Sequence, residues 1–434
     1  MPRRLRRHAL PCVLMRAGTS KGIFLHRGDL PLNESDWAPH LISALGSRGN
    51  DPRQIDGIGG GTSTTSKVAV VSRSQRPDAD VDWTFVQVAV GKETIDLTGT
   101  CGNMTAGVAP FAVQEGLVKP RPHQKKMDVS IYNTNTDRIV IETVALDSSG
   151  DYEEDGTFII PGVNTPGSEV KCKFVHPVGS MTGKLFPSNS HQQQILRVQP
   201  DLDFLMSDHA PFDVRVTLID SANPFVLVDA TSIPTHLVST IPSESSRNAL
   251  VESIRRAGAV AMGLAPDTET AGKTRGTPKV ALVYPPTSQH DVHKSARPDI
   301  RIQAYSMGLP HPSLQLTGAV TVAVALSYPD TILADLSTKA PATAGLTNGT
   351  SLPLTPEQSP PPEDEDQIQH KQNAESQSQL EREVLIEHSK GIIKVDVVME
   401  SNGSGEVASC AVSRTARRLF EGKVRYYVAE SDIC

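Results

Sequence analysis

Cysteine and aromatic residues are scarce in this chain, and their scarcity excludes several classes of protein. Only 5 of the 434 residues are cysteine, and no two of them form a Cys-x-x-Cys pair. This usage argues against a disulfide scaffold or a structural zinc site and favours a reducing compartment. Aromatic residues make up 4% of the chain, which is few for a surface that stacks on bases or sugars.

The chain also lacks an excess of positive charge and long apolar runs. Its formal net charge of −7 disfavours nonspecific binding to nucleic acid or anionic membranes. No apolar run approaches the length of about 20 residues that spans a membrane. The Arg-rich start, MPRRLRRHAL, raises the alternative of a mitochondrial presequence. Because the run Leu10–Met15 already reads as a first strand, we expect a cytoplasmic protein.

Turns and short strands dominate what is present. Gly and Pro number 32 each, and runs rich in Val, Ile and Thr between them predict strands. Three segments predict helices, namely Thr105–Glu115, Ser245–Met262 and Gly318–Leu326. The last has small, apolar residues on all sides and should therefore be buried. Pro110 should kink or split the first of these helices. The fold class is therefore α/β with mixed strands and few helices, and two small-residue helices hint at two similar halves.

One region differs sharply in composition. Pro, Glu, Gln and Ser dominate residues 338–391, and such a segment buries too little apolar surface to offset its ordering entropy. We predict a largely disordered insertion there. Strand-like sequence resumes at Ile392–Met399 and Val424–Val428. The predicted division is a first half at 1–190, joined by the C-terminal strands 392–434, and a second half at 191–337.

The glycine-rich segment Gln54–Lys67, QIDGIGGGTSTTSK, is the most informative motif. It does not fit a phosphate loop, which needs glycine directly before the lysine. It does not fit a dinucleotide fingerprint either, because the strand-like Val68–Val71 follows where a helix is required. Exposed N–H groups and hydroxyls in such a turn suit a carboxylate, and a flexible surface loop is the alternative. The hydroxyl-bearing candidates are Thr62, Ser63, Thr64 and Ser66.

Lys67 ends this segment and borders the apolar strand Val68–Val71. The amine should therefore lie at the mouth of a core, where desolvation lowers a lysine pKa and allows the group to act as a base.

A second turn of the same character is Thr98–Gly107, TGTCGNMTAG. Cys101 stands where a helix should begin, and helix-end N–H groups lower a thiol pKa and can hold a carboxylate. The alternative is a small buried core cysteine. Gly102 and Asn103 argue for a tight turn instead, and with Met104 they join the substrate-binding candidates.

Two further segments supply polar candidates. Met15–Gly22 carries cations and hydroxyls that could clamp a carboxylate, with a solvated loop as the equal alternative. Ser306–Ala319 places a histidine between two prolines, where a structural role is the alternative, and then begins the second buried helix. The candidates are Arg16, Thr19, Ser20 and Lys21 in the first segment and Met307, His311, Thr317 and Gly318 in the second.

The histidines give no sign of a metal site. His290 and His293, in HDVH, form the only close pair outside the termini, and they lack a third ligand and a His-Glu-x-x-His pattern. We therefore expect neither a metal nor a cofactor.

At these residues the chain resembles the PrpF family of allylic isomerases. The family includes 2-methylaconitate cis–trans isomerase, aconitate Δ-isomerase, methylitaconate Δ-isomerase and oxalomesaconate tautomerase. The matching segments are MRAGTSKGIFL, QIDGIGGGTSTTSKVAVV, DLTGTCGNMTAGVAPFAVQEGLV and SMGLPHPSLQLTGAV. The resemblance implies the diaminopimelate-epimerase fold, in which two pseudo-symmetric α/β halves each wrap a sheet around a central helix and enclose the site between them.

The resemblance also implies roles for particular residues. Lys67 would be the acid/base lysine and Cys101 would line the pocket. Epimerases of this fold use two cysteines, one from each half, whereas Thr317 stands where the second thiol would be. This departure argues against a racemase and for a one-sided allylic proton shift. Lys279, which opens the strand-like run Lys279–Tyr284, completes the substrate-binding candidates.

The function implied by the resemblance is cofactor-independent isomerisation of a small unsaturated tricarboxylate. By analogy with itaconate production, and because the low-complexity insertion is typical of a fungal member, we expect conversion of cis-aconitate to trans-aconitate. The alternatives are 2-methylaconitate, methylitaconate or oxalomesaconate as substrate, a noncatalytic tricarboxylate-binding accessory protein, and a structural domain whose tail carries the function. Besides the substrate we expect a second copy of the chain, as a homodimer, and no nucleic acid or membrane.

Overall fold

The computed structural model describes residues 4–430 apart from 189–191, 201–209, 236, 238–242, 287–296, 338–380 and 403. Residues 338–380 of the predicted insertion, and His290 and His293, lie outside the described residues. Within the described part, no helix is long and apolar enough to cross a membrane.

The described strands and helices follow one another as a mixed α/β chain, which confirms the predicted fold class. The strands are β1 (Leu5–Ala17), β2 (Ser20–His26), β3 (Lys67–Arg73), β4 (Val81–Val88), β5 (Ile95–Asp96), β6 (Lys126–Asn133), β7 (Arg138–Ala145), β8 (Val170–Val175), β9 (Gln194–Val198), β10 (Phe212–Ser221), β11 (Asn223–Asp229), β12 (Lys279–Tyr284), β13 (Ile300–Ser306), β14 (Leu309–Pro310), β15 (Glu381–His388), β16 (Gly391–Met399), β17 (Val407–Arg414) and β18 (Ala416–Ala429). The α-helices are α1 (Trp37–Leu45), α2 (Gly102–Thr105), α3 (Val108–Gln114), α4 (Glu244–Ala261), α5 (Thr268–Lys273), α6 (Leu316–Ala325) and α7 (Ile332–Leu336).

Strand pairing repeats the same pattern twice. In the first half β1 and β2 form an antiparallel hairpin, β2 runs parallel to β3, β3 antiparallel to β4, and β4 parallel to β6, after which β7 and β8 follow. In the second half the same six pairing relations recur in the same order along the seven strands β10, β11, β12, β13, β15, β16 and β17. The two pseudo-symmetric halves are thereby confirmed, and β8 and β17 join them edge to edge.

One further strand extends the sheet of each half. β9 follows the first half but pairs with β10, and β18 follows the second half but pairs with β1. Residues 391–414 belong to the second-half pattern, so only Ala416–Ala429 extends the first half, unlike the predicted 392–434. We therefore propose a division into 5–175 with 416–429, and 194–414.

The strand β15 begins ahead of the predicted end of the insertion. Its sequence, Glu-Arg-Glu-Val-Leu-Ile-Glu-His, continues the charged composition of the preceding residues. Alternate residues nevertheless face the core, since Val384 and Ile386 are fully buried. Composition by itself therefore predicts that the chain rejoins the sheet at Ile392. The alternation of buried and exposed residues shows that it rejoins the sheet at Glu381.

The first predicted central helix is split, as Pro110 suggested, but the break lies one turn earlier. Pro110 has no N–H to donate to the carbonyl of Ala106, and its ring would clash there. The chain therefore ends α2 at Thr105 and restarts at Val108, and Phe111 N–H donates to Gly107 O at 3.0 Å. Pro110 then sits in the first turn of α3, where its missing donor costs nothing.

The start of α2 meets the start of the second-half helix α6, which is buried along its whole length. A side chain at Gly102 would lie 2.8 Å from Leu316 Cδ2 and 3.1 Å from the backbone nitrogen of Thr317. Only glycine permits this approach. The two central helices therefore bring their N-terminal ends together at the boundary of the halves.

Helix α4 fastens the segment that leads into β12. Arg255, 2% exposed, makes two hydrogen bonds of 2.7 Å with the Glu252 carboxylate. Its remaining donors bind the carbonyls of Ala271, Thr274 and Thr277. A buried, fully bonded arginine of this kind holds the loop between α5 and β12 against the helix.

Replacing Arg255 by Met should lower the free energy of unfolding by about 3–5 kcal/mol, because the buried Glu252 carboxylate loses its main partner. Chemical denaturation followed by circular dichroism measures this change. The control is Arg197→Met on β9, whose ion pair with Asp213 is more than half exposed and is worth at most about 1 kcal/mol. Equal losses in the two variants would contradict the role of Arg255.

Candidate active site

The residues of both predicted turns line one small cavity between the two halves. Its free volume is about 30 Å³, roughly the share of one water molecule in the liquid. The walls come from β3, β4 and the Cys101 turn on one side and from β12, β13 and the start of α6 on the other. The lining residues are Ser63, Thr64, Lys67, Phe85, Gln87, Asp96, Gly99, Thr100, Cys101, Asn103, Gly276, Lys279, Ser306, Met307, His311 and Gln315.

Lys67 opens β3 and points its amine into this cavity. The residue is 6% exposed, and its Nζ donates to Gln87 Oε1 at 2.7 Å. The ammonium also lies 5.0 Å from the centre of the Phe85 ring. Burial lowers the pKa of Lys67, and the nearby Cys101 opposes that effect only in part. A larger fraction of this amine is therefore neutral than for an exposed lysine.

Lys279 occupies the equivalent position in the second half. Lys67 is paired with Gly22, the third residue of β2, and Lys279 with Phe225, the third residue of β11. Its Nζ donates to the carbonyl of Thr100 at 3.1 Å. Burial, followed by the charge of Lys67, lowers the pKa of Lys279 to about 8. The internal repeat thus places two buried amines on opposite sides of the cavity.

Cys101 lies between these two amines and immediately precedes α2. Burial by itself would raise the pKa of the thiol, but Lys67 and Lys279 outweigh burial and lower the pKa below its usual value. The backbone N–H of Met104 and the buried hydroxyl of Ser20 add to this stabilisation of the thiolate. The sulfur is therefore more acidic than that of an ordinary core cysteine.

His311 lines the cavity as a neutral side chain. Burial, together with the charges of the two lysines, lowers the pKa of His311 to about 3. Its Nδ1 accepts a hydrogen bond of 3.2 Å from the Ser313 N–H, so the ring proton resides on Nε2. The imidazole can therefore donate a hydrogen bond, but at neutral pH it carries no charge.

The four hydroxyl-bearing candidates of the glycine-rich segment differ in whether they line the cavity. Ser63 and Thr64 line the cavity, whereas Thr62 is exposed and its hydroxyl bonds to those of Thr64 and Thr65. Ser66 is fully buried and is held by Val88 O and Gln54 Nε2. The Ser66 side chain therefore fixes the loop through these buried hydrogen bonds and is not part of the cavity lining.

The Met15–Gly22 segment supports the cavity wall, and its side chains do not line it. Arg16 Nη1 donates to the carbonyl of Thr415 at 2.8 Å, so the predicted carboxylate clamp is absent from the lining. Thr19 Oγ1 accepts from Asn103 Nδ2 at 3.1 Å and lies 3.1 Å from Ser313 Oγ. The Lys21 N–H donates to the carbonyl of Thr64. These contacts orient Asn103 and the hydroxyl loop.

Of the residues predicted in the second-half segment, Met307 and His311 line the cavity, whereas Thr317 and Gly318 do not. Thr317 is fully buried and its Oγ1 accepts from Asn223 Nδ2 at 3.0 Å, and Gly318 packs near Phe225 and Leu314. Neither these two nor Gly102 and Met104 are among the lining residues. Gln315, directly ahead of α6, faces the cavity in their place, and Met307 lines it as predicted.

Gln87, Thr100 and Gln315 were missed at the sequence level. Each lies in an ordinary strand or turn context, and only the pairing of β3 with β4 and the contact between the halves bring them to the lysines. The repeat of the strand order was the one signal available in the sequence. It makes Lys279 the counterpart of Lys67 and so indicates that the second half contributes to the same cavity. Among the described residues, no group of three His, Cys, Asp or Glu side chains could hold a metal ion.

The comparisons with known proteins agree on one family. The model of the PrpF protein family matches residues 7–348. The chain is 34% identical to a 2-methyl-aconitate isomerase of Cupriavidus necator, covering 75% of this chain and 83% of the relative. It is 31% identical to a (4E)-oxalomesaconate Delta-isomerase of Novosphingobium sp. (strain KA1), covering 98% and 99%. A crystal structure of methylitaconate-delta-isomerase superposes with a TM-score of 0.64 at 29% identity over 99% of this chain and 97% of that one.

Cys101 should react with iodoacetamide at lower pH than the other described cysteines, because burial raises the pKa of Cys12, Cys172 and Cys410. Removing one cation by Lys279→Met should raise the pKa of Cys101 and move its pH–rate profile upward. Peptide-resolved mass spectrometry measures the alkylation rate at each cysteine.

The matched control is Lys273→Met, which removes an exposed lysine paired with Glu269 and should leave the profile in place. An unchanged profile in the Lys279 variant would refute the coupling between the amine and the thiol.

Proposed function

This chain belongs to the PrpF family and is an isomerase, and we propose that it moves the double bond of a small unsaturated polycarboxylate by proton transfer through Lys67. The observation that carries the proposal is the pair of buried amines, Lys67 and Lys279, on either side of the acidic thiol Cys101. Such a cavity attracts carboxylates and contains a group able to remove a proton from carbon.

The substrate class follows from the relatives together with the cavity. The named relatives are isomerases of 2-methylaconitate, oxalomesaconate and methylitaconate, which are all unsaturated polycarboxylates. The Lys279 ammonium group, the N–H groups of the Lys67 amine and the hydroxyls of Ser63 and Thr64 suit more than one carboxylate. Within this class we propose conversion of cis-aconitate to trans-aconitate, with 2-methylaconitate, methylitaconate and oxalomesaconate as the alternatives.

In the first step the neutral amine of Lys67 removes a proton from the allylic carbon. The C–H electron pair enters the conjugated system, so a dienolate and an ammonium group form together. The lowered pKa of Lys67 supports this role because it increases the fraction of free amine at neutral pH. Gln87 Oε1, 2.7 Å from Nζ, aims the amine and then accepts a hydrogen bond from the ammonium.

The charge of the dienolate develops on a carboxylate oxygen. Lys279 supplies a cation on the far side of the cavity, and neutral His311 offers an Nε2–H donor. Groups that are already oriented in a closed, water-poor site stabilise such charge without reorganisation. This stabilisation makes a weak carbon acid accessible to an amine base.

In the second step a proton returns to the other end of the allyl unit. Delivery by the Lys67 ammonium regenerates the free amine, shifts the double bond and leaves atoms and charge balanced. Rotation about the transiently single bond of the dienolate permits the geometry to change before the proton returns. The Cys101 thiol, Lys279 and the hydroxyls of Ser63 and Thr64 also line the cavity and are alternative donors of this proton.

A racemase of the same fold requires a thiol from each half. The second-half turn offers Thr317, whose hydroxyl is buried and bonded to Asn223 outside the lining. This arrangement supports the isomerase over the racemase. The remaining candidate, a noncatalytic tricarboxylate-binding protein, would retain the two cations but has no use for a base with a lowered pKa.

Lys67→Ala should abolish isomerisation, whereas Cys101→Ala should retain partial activity, because only the lysine is required to remove the allylic proton. Proton NMR with cis-aconitate in D₂O follows both isomerisation and deuterium incorporation at the allylic carbon. The other three acids serve as parallel substrates.

Binding of the acids must be measured alongside, so that loss of chemistry is separated from loss of affinity. Full activity of the Lys67 variant would contradict the mechanism. Binding without proton exchange by the unmodified chain would favour the noncatalytic alternative.

A further inference from the structure

The lysine cavity opens into a larger groove of about 620 Å³ at the boundary of the halves. The two spaces share four lining residues, Ser63, Gln87, Asp96 and Met307. The inner cavity has room for about one water molecule, so a tricarboxylate that reaches Lys67 must extend outward past these shared residues. One of its carboxylates then lies in the groove.

Arg275 is placed to meet that carboxylate. It lies in the loop between α5 and β12, it is half-buried, and it lines the groove. Within the part of the chain that the structure describes, its guanidinium takes part in no hydrogen bond or ion pair. Glu252, the nearby acid, is already held by Arg255 and Arg256. The charge of Arg275 contributes to the lowered pKa of Glu252, but its guanidinium makes no hydrogen bond within the described residues. It therefore keeps a planar pair of donors that matches a carboxylate.

A hairpin turn fixes the position of this side chain. Met307 and Gly308, between β13 and β14, have φ values of 55° and 79°, which is the left-handed conformation of a tight two-residue turn. A Cβ on Gly308 would overlap Arg275 Nη2. The absence of a side chain at Gly308 therefore leaves the space that the guanidinium occupies, next to the Met307 side chain that separates cavity from groove.

The backbone of the loop that carries Arg275 is also held by hydrogen bonds. The N–H of Gly276, the next residue, donates to Asp96 Oδ2 at 2.9 Å, and the carbonyls of Thr274 and Thr277 accept from Arg255. Asp96 is the acidic residue of the shared lining, and its oxygens are engaged by Gly276 and Thr98. The loop thus presents Arg275 from a braced position.

We propose that Arg275 binds the substrate carboxylate that projects from the lysine cavity into the groove and so selects tricarboxylates over dicarboxylates. The proposal rests on the proposed function, since it assumes that a polycarboxylate occupies the cavity. Lys67 and Lys279 bind the reacting end of the substrate, and Arg275 binds the additional carboxylate that a tricarboxylate has and a dicarboxylate lacks.

The test uses the full chain and two saturated acids that cannot be isomerised. Propane-1,2,3-tricarboxylate and pentanedioate differ only in the central carboxylate, and isothermal titration calorimetry gives the affinity for each. Arg275→Met should weaken binding of the tricarboxylate by about 10- to 100-fold and that of pentanedioate by less than about threefold. Gly308→Ala should change the same ratio in the same direction, because the new methyl group displaces the guanidinium.

The matched control is Arg197→Met, which removes an equal charge from a side chain that is 62% exposed, is paired with Asp213 and lines neither the cavity nor the groove. Its affinity ratio should equal that of the unmodified chain. Equal losses for both acids in the Arg275 variant, no loss for either, or no binding of the tricarboxylate by the unmodified chain would overturn the proposal. A selective loss in the Arg275 variant together with no proton exchange on any unsaturated acid would contradict the proposed function and leave the carboxylate site standing.

Discussion

The burial of two ammonium groups around one thiol is the constraint on which this structure depends. Removing a lysine from water is costly, and the cost is met either by a partner or by loss of the proton. Lys67 has Gln87, Lys279 has the carbonyl of Thr100, and both face Cys101. The compensation is incomplete, so the pKa values of both amines fall while that of the thiol falls with them. The reactivity of the site is the consequence of this partial balance.

The duplicated topology explains how one chain assembles such a site. A lysine opens the third strand of each half, at the same register to the preceding hairpin. The halves are not equivalent in chemistry, because the first supplies Cys101 and the second supplies Gln315 and His311. A symmetric frame therefore encloses an asymmetric cavity. Arg275 and the outer groove extend this asymmetry beyond the cavity.

Close packing at two glycines and the bonds of one buried arginine hold the elements around the cavity in place. Gly102 lets α2 approach Leu316 of α6, and Gly308 leaves room for Arg275. On the second-half side, Arg255 ties the loop that precedes Lys279 to helix α4. Gly102, Gly308 and Arg255 lie outside the cavity lining, yet they help to fix the positions of the residues around them. A distortion of this frame by an ångström would affect catalysis as much as loss of a catalytic group.

The sequence by itself determined the α/β class, the two small-residue helices, and Lys67 and Cys101 as the chemical candidates, because strand alternation and glycine-hydroxyl turns are local properties. The break before Pro110 was likewise predictable in kind, although its place depended on the carbonyl four residues earlier. Only the tertiary structure decided that Arg16, Ser66 and Thr317 support the site from outside the lining, and that Gln87, Thr100 and Gln315 belong to it. Those assignments depend on strand register and on the meeting of two halves far apart in the chain. A pattern of residues that are neighbours in the sequence does not show which face of a distant strand will lie opposite them in the fold.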